Sequence, residues 1–439
     1  MPTIKQTALE IFHRTLAGID IPTSMRRKLA RAGSHIFVNG APVDLAAFRQ
    51  IYVIAIGKAS VAMARGFAEI LAPDVRAQGI VVAPTAASGL PEGFRSIVAG
   101  HPVPTKESFT AAQAILDLLS TTNDQSLVVF LLSGGGSSLV ELPLDPGITL
   151  EDVQAMNRVL VTCGASIDEI NAVRKHLSAV KGGRLAVAAG AAMKITLGVT
   201  DVPEGQESAL ASGPTLPDPT TVSVACEVIR RYELLSKLPP TIRTRFEHPD
   251  SIPETPKPGD PAFDARRSVF QILLGRHDLF HSAHHASECE EFVTICDNST
   301  DNWPVEKAVD FLLAQLFSLK EANPGKSVAV IADGEVSSPV TGDGVGGRNL
   351  AFVLDAVKKI AGRDIAILSA GTDGIDGSSP AAGAVADGET LSRAQSLGLD
   401  PADYFRRSDS YTFFHALGDT IETGPTGNNL RDLRILLAK

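Results

Sequence analysis

Short, nearly unbroken runs of Val, Ile and Leu recur along the chain, and they constrain its fold more than any other feature. They lie at Ile51–Ile56, Gly79–Ala83, Leu127–Leu132, Ile195–Val199, Val269–Leu274, Phe292–Ile295, Val328–Ile331 and Ile365–Leu368. A strand with one wet face alternates apolar and polar residues, whereas a strand covered on both faces does not. Helix-period patterns fall between the runs, at Ala59–Leu71, Glu107–Leu119, Ile167–Ala189, Val305–Ala322 and Asn349–Ala361. Strands alternating with helices predict an α/β fold with parallel sheets.

The chain has 439 residues, which at about 100–200 residues per domain predicts two or three domains. The proline-dense stretch Leu238–Pro261 stops regular structure and reads as a linker or surface arm. The boundary is therefore placed there, with one domain over residues 1–260 and a second over 261–439. The net charge of −10 and the lack of a long basic run argue against a nucleic-acid partner. An anionic substrate would need locally placed cations. No run approaches the ~18 apolar residues of a membrane span. The four cysteines, 163, 226, 289 and 296, form no CxxC pair, which fits free thiols in a reducing compartment and predicts a cytoplasmic protein.

Two glycine loops carry most of the chemistry. Ser133-Gly134-Gly135-Gly136-Ser137-Ser138 follows the strand Leu127–Leu132 and offers backbone amides and hydroxyls to an anion. Gly346-Gly347-Arg348-Asn349 opens a helix, where amides, macrodipole and a cationic fork suit phosphate or carboxylate. A third loop, Gly371-Thr372-Asp373-Gly374-Ile375-Asp376-Gly377, places two acids after a strand, a pattern for Mg²⁺ or a nucleotide. Lys58 sits at a strand-to-helix turn, and Asp201 at a strand's end. In the basic stretch Arg174–Arg184, the interruption Lys181-Gly182-Gly183 would weaken a helix, which favours a ligand role.

Several motifs are missing. Gly325-Lys326-Ser327 looks like a Walker A tail, but the first glycine's place is taken by Lys320. After Gly134 and Gly136 a dinucleotide fingerprint would need a third glycine where Leu139 stands. No GxSxG elbow occurs. His277, His281, His284 and His285, with Cys289, crowd one helical stretch and read as surface residues.

Taken together, the blocks resemble the class II glycerate kinases, the glycerate 2-kinase family with a C-terminal MOFRL domain. The matching stretches are Ala55–Ala59, Gly100–Pro104, Ser133–Ser137, Val173–Ser178, Lys181–Ala186, Asp201-Val202, Ala211–Thr215, Gly346–Asn349, Gly371–Gly377 and Thr423–Gly427, in order along the chain. The resemblance implies a Rossmann-like N-terminal domain, a smaller α/β C-terminal domain and an active site in the cleft between them. It also implies ATP, Mg²⁺ and conversion of D-glycerate to 2-phosphoglycerate, with Lys58 and Arg348 essential. A homodimer is left open. The chain departs from the family pattern at Gln206, Asp333, Leu350, Ala351 and Pro380, positions that bear on which hydroxy acid is taken.

On this reading ATP phosphates rest on Ser133–Ser138, with Lys181, Gly346, Gly347 and Asn349 as further phosphate contacts. Lys58 and Arg348 straddle the transferred phosphoryl or hold the substrate carboxylate. Asp201 or Asp373 orients the attacking hydroxyl, and Asp373 and Asp376 meet the metal. Phosphoryl transfer needs mainly alignment and charge neutralisation. The rival readings are an NAD(P)H-linked hydroxypyruvate reductase, a kinase for another small hydroxy acid, and a ligand sensor without chemistry.

Overall fold

The computed structural model describes residues 2–71, 75–200, 202, 205–264, 266–428 and 430–439. The chain packs as two compact units, residues 21–273 and residues 1–20 with 274–439.

The unit of residues 21–273 is built on β1 (Gln50–Ile56), β2 (Gln78–Ala83), β3 (Phe94–Val98), β4 (Ser126–Ser133), β5 (Met193–Val199) and β6 (Ser268–Leu274). They lie side by side in the order β3-β2-β1-β4-β5-β6. The pairs β1–β2, β2–β3, β1–β4 and β4–β5 are parallel. This is the doubly wound Rossmann order. Every residue of β4 is buried, as its unbroken apolar sequence predicts. On one face Tyr52, Ile54, Ile56, Val128, Phe130 and Leu132 pack with Ala111, Ala112 and Ile115 of the helix Lys106–Leu119. The helix Ser60–Leu71 buries Met63, Phe67 and Ile70 and packs on β1, β2 and β4.

The expected helix Ile167–Ala189 is two helices, Ile167–Leu177 and Arg184–Ala188. The first ends at its cap Ser178, and Gly182 and Gly183, at φ 55° and 86°, redirect the chain into the second. The proline-dense stretch is not a linker. Pro240 starts the helix Pro240–Glu247, and Ile242, Phe246 and Ile252 enter a core with Val153, Leu160 and Val228. Proline is favoured at the first helical position because its missing N–H is not needed there.

The other unit carries β7 (Val293–Asp297), β8 (Val328–Asp333), β9 (Ile365–Gly371), β10 (Gly383–Asp387), β11 (Thr420–Ile421) and β12 (Asp432–Ala438), ordered β7-β8-β12-β9-β10-β11. Only β7–β8 is parallel; β12 runs antiparallel between β8 and β9. The parallel expectation thus holds for the first sheet and not for this one. The helices Val305–Ala322 and Arg348–Lys359 pack on the sheet through Leu312, Leu316, Phe352 and Val353. The N-terminal helix Ile4–Gly18 buries Ile4, Ala8, Ile11 and Phe12 against β9, β10, β12 and the helix Arg276–Cys289. That apolar face ties the first twenty residues to this unit. No helix among the described residues is long and apolar enough to cross a membrane.

Candidate active site

In the unit of residues 21–273, β1 and β4 are neighbours whose following connections leave toward opposite edges of the sheet. Ligands of doubly wound sheets bind at the carboxyl ends of such a strand pair. The turn after β1 is Gly57-Lys58. Gly57 has φ 127°, and a Cβ there would lie 2.6 Å from the Ser133 carbonyl oxygen, so only glycine fits. Lys58 N–H donates to the Gly134 carbonyl at 2.9 Å, and Ala59 N–H donates to Ser133 Oγ at 3.0 Å. The lysine turn and the glycine loop are thereby stitched into one structure.

Past Ser133, Gly135 adopts φ 84° and opens the short helix Gly136–Leu139. Ser138 Oγ lies 3.0 Å from His101 Nδ1. Ser137 Oγ lies 2.8 Å from Ser212 Oγ, which in turn donates to Asn171 Oδ1 at 3.1 Å. Ser212 is presented by three successive left-handed residues, Ala211, Ser212 and Gly213. A left-handed alanine or serine costs roughly 1–2 kcal/mol, so the surrounding structure must impose this turn. It does so through Gly182 N–H to Ser212 O at 3.0 Å, Gly183 N–H to Gly213 O at 2.7 Å and Leu185 N–H to Pro214 O at 3.0 Å. The Lys181-Gly182-Gly183 interruption serves that docking.

The sequence reading puts Lys181 on a phosphate, whereas the structure puts its ammonium in the interior. Nζ is 2.6 Å from Glu141 Oε2 and 3.3 Å from the Val140 carbonyl, and both side chains are buried. Ser178 Oγ donates to the other Glu141 oxygen at 2.7 Å. Burial lowers the Lys181 pKa, and Glu141 opposes that shift. Asp201 lies outside the described residues.

In the other unit, Gly346, Gly347, Arg348, Asp373 and Asp376 line one cavity of about 980 Å³, with Val305, Val340 and Phe405 among its apolar walls. The helix N-terminus expected to hold phosphate already holds a carboxylate. Asp376 accepts from Asn349 N–H at 3.1 Å and Leu350 N–H at 2.8 Å. Asn349 is buried; its amide donates to Asp376 at 3.3 Å and its Oδ1 accepts from Ser369 Oγ at 2.6 Å. Burial pushes the Asp376 carboxyl up to about 7, with Asp432 adding to the rise and the amides opposing it.

Arg348 is clamped between two acids. Its Nε is 2.5 Å from Asp432 Oδ2 and its Nη1 is 2.8 Å from Glu335 Oε2. Burial works against its charge, but Asp432 and then Glu335 outweigh that and raise its pKa. Asp432 is buried, while Glu335 is only half-buried. Arg434, fully buried, reaches the Gly334 carbonyl at 2.9 Å and stacks 5.0 Å over Phe352. Asp432 and Arg434 were not singled out in the sequence. The signal was present as charges at alternate positions entering a buried strand, which demand partners.

A metal at a phosphate site needs one or two carboxylates, with the remaining oxygens from phosphate and water. Among the described residues no three His, Cys, Asp or Glu side chains converge as a metal site. Asp376 is committed to amides, and Asp373 on the cavity wall is the donor that fits. The histidines on Arg276–Cys289 are a surface feature, with His277, His281 and His285 exposed.

Residues 7–247 match a family described as Domain of unknown function (DUF4147), and residues 328–432 match the MOFRL family. A D-glycerate 2-kinase of Thermotoga maritima is 35% identical over 88% of this chain and 90% of its own. An Agrobacterium vitis protein bearing a hydroxypyruvate reductase name is 38% identical over 88% of this chain and 86% of its own. The crystal structure of a Thermotoga maritima glycerate kinase superposes with a TM-score of 0.86 at 31% identity, covering 99% of both chains.

Proposed function

We propose that this chain, which belongs to the glycerate 2-kinase family with a C-terminal MOFRL unit, moves the γ-phosphoryl of ATP to the 2-hydroxyl of D-glycerate. The observation that carries this reading is the bonding of the Lys58 turn to the Gly134–Ser138 loop at the switch point of a Rossmann-ordered sheet. Loop amides offer donors to phosphate oxygens, and Lys58 supplies a cation beside them. Such transfer needs charge neutralised along the line of attack more than covalent help. In the second unit, Arg348 on the wall of the 980 Å³ cavity takes an anionic group, and Asp432 fixes its fork. Mg²⁺, when bound with ATP, would draw on Asp373 and would neutralise phosphate charge. The four unpaired cysteines support work in a reducing compartment, the cytoplasm.

The test is ADP release across small hydroxy acids, with phosphorus NMR of the product. Lys58→Ala and Arg348→Ala are expected to abolish turnover while the protein stays folded. Turnover retained in both would refute the assignment. The Rossmann strand order and the reductase name of the Agrobacterium relative favour a second reading, hydroxypyruvate reduction. Oxidation of NADH by hydroxypyruvate, followed at 340 nm, would establish it.

A further inference from the structure

The Gly100–Pro104 stretch has no role in the reading above, yet it brings an imidazole to the glycine loop. His101 is exposed. Its ring packs over Gly135, where an added Cβ would sit 3.2 Å from both Nδ1 and Cε1. Its Nδ1 is 3.0 Å from Ser138 Oγ. The Ser138 hydroxyl has a single proton, and that proton is directed to the Gly135 carbonyl at 3.2 Å. Both contacts are satisfied together only when Nδ1 carries the hydrogen and donates to Ser138 Oγ. Nε2 then carries the lone pair, and it has no hydrogen-bond partner among the described residues. The Lys58 ammonium is the charged group facing the ring; Ser138 and the Gly135 backbone are neutral. The protein packed around the imidazole, and then Lys58, lower its pKa from the ordinary 6.5, so the ring is a neutral base at pH 7.

We propose that His101 is the general base of the transfer. Nε2 takes the proton of the acceptor hydroxyl as the new O–P bond forms and the bond between the γ-phosphorus and the β–γ bridging oxygen breaks. The electron pair of that broken bond leaves with ADP. The proton rests on the imidazolium and passes to water when products depart. Ser138 is the positioning residue that sets the tautomer. This deepens the kinase reading and rests on it.

The experiment compares wild type, His101→Ala and His101→Gln by steady-state ADP release with glycerate and ATP between pH 5 and 9. Loss of a general base costs about 10²–10⁴-fold. Both variants are expected to lose at least a hundredfold in kcat, with the KM for ATP little changed. The acid limb of kcat/KM, falling below pH 6.5 in the wild type, should vanish, and added imidazole should partly restore His101→Ala. Glutamine preserves bulk and a hydrogen bond to Ser138, so a His101→Gln enzyme within threefold of wild-type kcat would reduce His101 to packing and overturn the proposal. A variant that keeps the acid limb would overturn it as well. Wild type that phosphorylates no hydroxy acid would instead remove the kinase reading, and the base with it.

Discussion

Lys181 separates a ligand contact from a structural ion pair, and its replacement by methionine has a calculable consequence. Methionine matches most of the lysine's volume and keeps the apolar stem. What disappears is the ammonium held 2.6 Å from Glu141. Glu141 then remains buried, with Ser178 Oγ and its neighbouring Leu142 N–H as donors and only the nearby Arg174 guanidinium as an opposite charge. Stranding one partner of a buried pair costs about 3–5 kcal/mol. For a unit of this size each kcal/mol moves Tm by roughly 2–4 °C, so a drop of about 6–20 °C is expected in the transition of this unit. A lysine that served phosphate instead would be dispensable for folding, within about 0.5 kcal/mol. Calorimetry resolves the units, and the double variant Lys181→Met with Glu141→Leu should recover most of the loss because no lone charge remains. A Lys181→Met protein that melts within 2 °C of wild type but has lost nucleotide affinity would refute the buried-strut reasoning.

The remaining predictions are more local. Asp376 holds its proton to about pH 7 in the folded chain and to an ordinary 3.8 when unfolded. Between those values the folded state binds the extra proton, so stability should fall as pH rises from 4 to 7 and level off above, by up to about 4 kcal/mol. Urea midpoints across that range should show this slope, and Asp376→Asn should flatten it; an unchanged slope would remove Asp376 as its source. Glu335 is the more exposed of the two partners of Arg348, and pairs open to solvent contribute about 0–1 kcal/mol. Glu335→Gln should therefore tighten inorganic phosphate binding by up to about fivefold in calorimetric titration if Arg348 meets anions, and weaker binding would argue against that. Gly57→Ala forces a Cβ against the Ser133 carbonyl and should lower both Tm and turnover; a fully active, equally stable variant would contradict the tight turn.

The fold was legible where burial alone writes the sequence. β4 is apolar at nearly every position because helices cover both its faces, and its partners read the same way. β12 escaped notice because Asp432 and Arg434 interrupt Leu433, Ile435 and Leu436, giving the look of a wet strand to one that is fully buried. Those charges are tolerated only because Arg348, Gly334 and Phe352 meet them, and partners so distant in sequence cannot be read from local pattern. The proline-dense segment misled for the opposite reason. Proline density reports where a helix cannot continue, but Pro240 stands where one begins.

The site divides along the same line. Backbone-built features were readable, since a glycine run after a strand has few other physical uses, and Lys58 and Gly134–Ser138 do come together. Side-chain electrostatics were not. An acid such as Asp376 looks like a metal ligand until the helix whose amides it caps is in place, and a lysine beside two glycines looks like a phosphate contact until Glu141 is found against it. Lys181 and Asp376 are engaged within their own units, while backbone amides, Lys58 and one neutral imidazole stand at the switch point. A site of that composition favours an acceptor that must lose a proton while its phosphate charge is absorbed by donors already in place. This is why the activity of His101→Gln, rather than of any carboxylate variant, decides how the transfer begins.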